Sequence, residues 1–135
     1  MRWLKAFIAG IVVPTIILPI VLLIALYLGK SQILSVAFLH FIPVIWGIWN
    51  ILYFAFFKNI LPEDQNKRLY ITGAVLGFLI AVYAIFWLDV PHLINLPESL
   101  RYAPLVLAPI LYGILWRFLV KDLNEILYLK DSQKG

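Results

Sequence analysis

Four residues of the chain combine polar or helix-loosening character with a shared helical face: His40, Pro43, Gly47 and Asn50, at i, i+3, i+7 and i+10. A histidine in an apolar segment can relay protons or hold a metal, and an asparagine can order water or an ion. Pro43 and Gly47 would loosen the backbone between them. The plainer role is packing, since polar side chains at helix contacts in a membrane contribute about 0.6–2 kcal/mol each. Trp46 and Trp49 flank the stripe and join His40 and Asn50 as candidate binding residues.

Asp89, His92 and Glu98 form a second constellation. An aspartate and a histidine three apart, with a carboxylate further on, have the ligand chemistry of a zinc or hard-metal site and the make-up of an acid–base pair. Pro91 lies between them and disfavours a regular helix, so the spacing sets no common geometry. Gly73 and Gly77 make a Gly-x-x-x-Gly pair, continued by Ala81 and Ala84. This is a helix-packing motif that carries no chemistry. Trp46 and Trp49, or a second protomer, are its expected neighbours.

The missing motifs narrow the field. There is no cysteine, which removes disulfides and thiolate metal sites. The chain has no His-x-x-x-His pair, no Ser–His–Asp set and no phosphate-binding glycine loop. No acid lies within the first three apolar runs, unlike the small multidrug-resistance transporters, which centre on a membrane glutamate. The absence of an acidic ring argues against a cation pore. The sequence thus calls for no cofactor and no metal.

The elements that carry these residues are apolar runs. No Asp, Glu, Lys or Arg occurs from Ala6 to Gly29, Ser31 to Phe57, Leu69 to Leu88 or Tyr102 to Trp116. Uncharged runs of about 20 residues match the hydrocarbon thickness of a bilayer. In 135 residues, 64% of them hydrophobic, no room remains for a soluble domain. The expectation is an all-α polytopic membrane protein: four transmembrane helices in an antiparallel bundle, forming one domain over residues 1–135. The spans fall at about 5–29, 33–57, 67–88 and 98–120, with a short cytoplasmic amphipathic helix at about 121–131.

Basic residues orient it. Arg2, Lys5, Lys58, Lys67, Arg68, Arg117, Lys121, Lys130 and Lys134 fall on one side, and only Lys30 and Arg101 on the other. The positive-inside tendency then places both termini and Asn59–Arg68 in the cytoplasm, in a bacterial cell inner (plasma) membrane. This also explains the net charge of +4 without nucleic acid. The first apolar run is too long for a signal peptide, is interrupted by Pro14 and Pro19, and lacks a small-x-small cleavage site, so it is expected to be retained.

Finer expectations follow. Tyr53–Phe57 reads as an interfacial aromatic anchor. Pro62, Glu63 and Asp64 read as the first turn of the third helix. Leu123, Ile126 and Leu127, opposite Lys121, Asp122, Glu125 and Lys130, read as a helix lying on the membrane or on a partner, dispensable for the four-span fold. The matched spacing of Pro14–Pro19 and Pro104–Pro109 hints at an inverted repeat.

Three functions fit in descending order. The first is an accessory or interaction subunit, or a bundle that binds lipid or another hydrophobic ligand, in contact with the bilayer and with a membrane-protein partner or a second copy. Next comes a small oligomeric transporter or channel using the His40–Asn50 stripe. The third is an outer-leaflet enzyme using Asp89, His92 and Glu98.

Overall fold

A computed structural model describes residues 2–61 and 63–127. Pro62 and the end of the expected tail helix, including Lys130, lie outside the described residues. Every regular element among the described residues is helical. Three helices are long and apolar enough to cross a membrane: Arg2–Tyr27, Gln65–Trp87 and Pro104–Ile126.

Helix α1 (Arg2–Tyr27) continues through both Pro14 and Pro19. It stops at Gly29, whose φ of +75° is a backbone state open to glycine. There the amides of Gly29 and Lys30 turn back to the carbonyls of Leu26 and Ala25, a glycine-capped helix end that satisfies carbonyls the helix leaves free.

The expected second span, about 33–57, is interrupted. Ser31–Ser35 forms a 3-10 turn, α2 (Ala37–His40) is a single turn, and α3 (Ile42–Leu52) begins only after Phe41. Pro43 accounts for the break. It has no N–H to carry the helical ladder back, and its ring would clash with the Leu39 carbonyl in a continuous helix. The chain instead bonds Phe41 N–H to the Phe38 carbonyl and restarts with Ile45 N–H on the Phe41 carbonyl, both at 3.0 Å. A π turn, Tyr53–Phe57, leads into α4 (Lys58–Ile60).

Helix α5 (Gln65–Val82) is capped by Asp64, whose carboxylate accepts from Asn66 N–H at 3.0 Å. The acids therefore precede the helix rather than forming its first turn. After a π turn, Tyr83–Trp87, come α6 (Val90–Leu93) and a 3-10 turn, Glu98–Leu100. Helix α7 (Pro104–Leu115) then starts at Pro104, so only Pro109 lies inside it, and the proline echo with Pro14–Pro19 does not describe two equally broken helices.

The expected amphipathic continuation is helical to Ile126, with Asn124 buried against the bundle. α7 runs through a π turn, Trp116–Val120, into α8 (Lys121–Ile126) as one rod. Gly113, Trp116, Val120 and Asn124 are all buried along it. A π turn holds more residues than an α turn, which offsets the drift that a repeated four-residue spacing builds up in a regular helix.

Packing is pairwise. α1 lies on α3, and α5 lies on α7. Between the pairs sits an aromatic core: Trp46 meets Tyr112 with ring centroids 5.0 Å apart and Trp116 at 5.8 Å, and Tyr53 meets Trp116 at 6.4 Å. Tyr53 and Phe54, expected as interfacial anchors, are buried in this core. By contrast, Leu23, Val106 and Leu107 are each more than 60% exposed, an apolar surface suited to lipid rather than water.

Candidate functional site: an asparagine pair and a lateral groove

The polar centre is Asn50, fully buried on α3. Its amide nitrogen donates to the Ala6 carbonyl of α1 at 2.7 Å and to Asn124 Oδ1 of α8 at 2.8 Å. Asn124 Nδ2 returns a longer contact of 3.5 Å to Asn50 Oδ1. Three helices are thereby clamped by one amide pair. Small residues make this possible: Ala6, Ala9 and Gly10 turn one face of α1 towards α3, and Cβ on Gly10 would come within 2.6 Å of the Trp46 carbonyl.

His40 does not share this site. It ends α2, before the Phe41 break, is exposed, and its Nε2 lies 2.9 Å from the Leu34 carbonyl. The four-residue stripe therefore divides at Phe41, and no single helical face joins His40 to Asn50. Asn124 is the residue that sequence reasoning missed. Its signal was present: it continues the Gly113, Trp116, Val120 face, whereas the expected amphipathic helix was built on Leu123, Ile126 and Leu127 and assigned Asn124 to neither face.

Trp46 and Trp49 serve different contacts. Trp46 is buried against Tyr112 and Trp116, whereas Trp49 donates its indole N–H to the Thr72 carbonyl of α5 at 3.0 Å. Thr72 in turn donates to the Arg68 carbonyl. Gly73 and Gly77 face α7. Cβ on Gly73 would strike the Tyr112 carbonyl, and on Gly77 it would come within 2.5 Å of the Ala108 carbonyl. The neighbours of this glycine pair thus come from the last long helix rather than from Trp46 or Trp49.

The second constellation is dispersed. Asp89, at a left-handed φ of 51°, pairs with Arg101 at 3.0 Å, while His92 and Glu98 are exposed. Partial desolvation works against the Arg101 charge, but Asp89, with Tyr102 and Glu98 adding to it, holds its pKa above the usual arginine value. Among the described residues no three His, Cys, Asp or Glu side chains stand close enough to hold a metal. Beside these residues, Lys30 donates to the Ile94 carbonyl at 2.6 Å and ties the two connecting loops together.

An apolar concavity lies elsewhere, between α1 and α7. A cavity of about 430 Å³ is lined by Val13, Ile17 and Val21 of α1 and by Trp46, Leu111 and Tyr112 among others, and Ile17 and Val21 are exposed at its rim. A second, of about 270 Å³, shares Val13 and Ile17 and extends along α1 to Leu119, Asp122 and Leu123. The lining side chains are aliphatic or aromatic except for Pro14 and, at one end, Asp122. Such a groove can hold hydrocarbon, with the Asp122 carboxylate as the one charged group in its lining, at the end of the second cavity.

No protein-family model, no curated protein and no solved structure matches the chain.

Proposed function

We propose that the chain is a four-span antiparallel bundle of the cell inner membrane, with both termini cytoplasmic. In this reading it acts as an accessory subunit that holds a hydrophobic ligand, the acyl chain of a lipid, in the groove between α1 and α7. The observation that carries the reading is this groove: apolar, open sideways on membrane-crossing helices, and backed by two aromatic side chains with polar heads. The interrupted segment Ala37–Ile60 supplies the fourth crossing, helped by the apolar residues before it. The nine-to-two division of basic residues supports the orientation.

The transport reading draws less support. Asn50 is committed to Ala6 and Asn124, and His40 stands apart from it. The dispersal of Asp89, His92 and Glu98 likewise leaves the enzyme reading without an assembled site.

Retention of lipid tests the proposal. The purified chain, delipidated and then incubated with phospholipid micelles, is weighed by native mass spectrometry. Ile17→Trp fills the groove, whereas Ile20→Trp places the same ring on an exposed position outside it. The expected result is a retained phospholipid in the parent and in Ile20→Trp, and its loss in Ile17→Trp. Equal retention in all three would refute a specific groove.

A further inference from the structure

The two helix pairs repeat one another. A shift of 63 positions carries α1 onto α5: Ala6-Phe7-Ile8-Ala9-Gly10 falls on Leu69-Tyr70-Ile71-Thr72-Gly73, and Lys5 on Arg68. A shift of 66 carries α3 onto α7: Pro43-Val44-Ile45-Trp46-Gly47-Ile48 falls on Pro109-Ile110-Leu111-Tyr112-Gly113-Ile114. The difference of three is the extra length of the second connecting loop.

Burial follows the same register. The buried residues of α1 are Ala6, Ala9, Gly10, Val13 and Pro14. Their counterparts Leu69, Thr72, Gly73, Leu76 and Gly77 are all buried in α5. Contacts follow it too. Cβ on Gly10 would meet the Trp46 carbonyl and the Asn50 Cβ, and on Gly73 it would meet the matching Tyr112 carbonyl and Trp116 Cβ. The Phe7 ring covers Gly47 just as the Tyr70 ring covers Gly113. Helical periodicity alone produces matches at every turn. It does not produce the same aromatic ring over the same glycine at a single long shift.

We infer that the chain is a tandem duplication of one helical hairpin, whose two copies recognise each other through the same face, with the matched residues Trp46 and Tyr112 meeting at the axis that relates them. An axis through a residue and its own counterpart is what a two-fold self-complementary interface requires. With the copies entering the membrane from the same side, this axis runs along the membrane normal, as in parallel rather than inverted repeats. The interaction surface is homotypic: each hairpin is built to bind another hairpin of its own kind, and here the partner is fused in the same chain.

The copies differ where the halves meet off the axis. Trp49 bridges from α3 to the Thr72 carbonyl of α5. Its counterpart Leu115 faces the α1 side and lines the groove. The groove therefore lies where the second copy has a leucine in place of a bridging tryptophan.

Two experiments on the full chain test the duplication. In the first, every substitution at residues 5–14, 43–54, 68–77 and 109–120 is scored for folded protein in the membrane. Tolerance at each position is expected to correlate with that 63 or 66 positions on better than at any shift up to seven residues either side. In the second, Trp46→Tyr and Tyr112→Trp are combined. Each alone is expected to lower the melting temperature, and the exchanged pair to recover at least half of the summed loss, because the axis makes the two positions interchangeable. A correlation no higher than at neighbouring helical shifts, or a double variant that loses as much as the sum of the singles, would overturn the inference.

Discussion

Replacing Asn124 with alanine tests the clamp between α1, α3 and α8. The substitution removes the acceptor 2.8 Å from Asn50 Nδ2 and leaves Asn50 Oδ1 without its contact, while the bond to the Ala6 carbonyl survives. An interhelical polar contact of this kind contributes about 0.6–2 kcal/mol. A buried acceptor left unmatched costs about 1–3 kcal/mol. Asn124→Ala is therefore expected to destabilise by about 2 kcal/mol. Asn50→Ala, which loses the Ala6 bond as well, is expected to cost about 3 kcal/mol on the same scale. The double variant should cost less than the sum, with a coupling of about 1 kcal/mol. Reversible unfolding in mixed micelles, with the two single variants and the double measured as a cycle, gives the number. Neutral single variants, or a coupling indistinguishable from zero, would refute the clamp. Truncation after Val120 removes the same residue and is expected to cost at least as much as Asn124→Ala, so the segment from Lys121 to Ile126 is part of the fold.

Gly73→Leu and Gly77→Leu should each force α5 and α7 apart, since the obstacle is backbone carbonyl. Overpacking of this kind costs about 1–3 kcal/mol, read as a lower melting temperature. Gly29→Ala meets no atom within 4 Å, so its cost is conformational alone, about 1 kcal/mol from the positive φ, and the same melting measurement should rank it below Gly73→Leu. Leu115→Trp should close the groove as Trp49 closes the opposite side, abolishing phospholipid retention while the helix content by circular dichroism is unchanged. For topology, an engineered cysteine at Gln65 should resist membrane-impermeant maleimide added from outside, and one at Gln32 should react; the reverse pattern would overturn the orientation.

The sequence alone determined that the chain is helical and belongs in a membrane, because long uncharged runs leave the backbone few other ways to satisfy its hydrogen bonds in hydrocarbon. It also marked Asn50, whose polarity in an apolar run demands a partner, and the Gly73–Gly77 pair, whose lack of side chains lets another helix approach. What it could not supply was the identity of the partners. Helical periodicity places Asn50 on a face but does not say that Asn124, 74 residues on, completes it, because that depends on which helices lie side by side. The break at Phe41, which separates His40 from Asn50, follows from how Pro43 is accommodated in three dimensions, since prolines 14, 19 and 109 sit inside helices that continue. Nor does any local signal show the groove. It exists only because α1 and α7 come from opposite ends of the chain and face each other across residues too short to fill the space between them, a matter settled by tertiary packing alone.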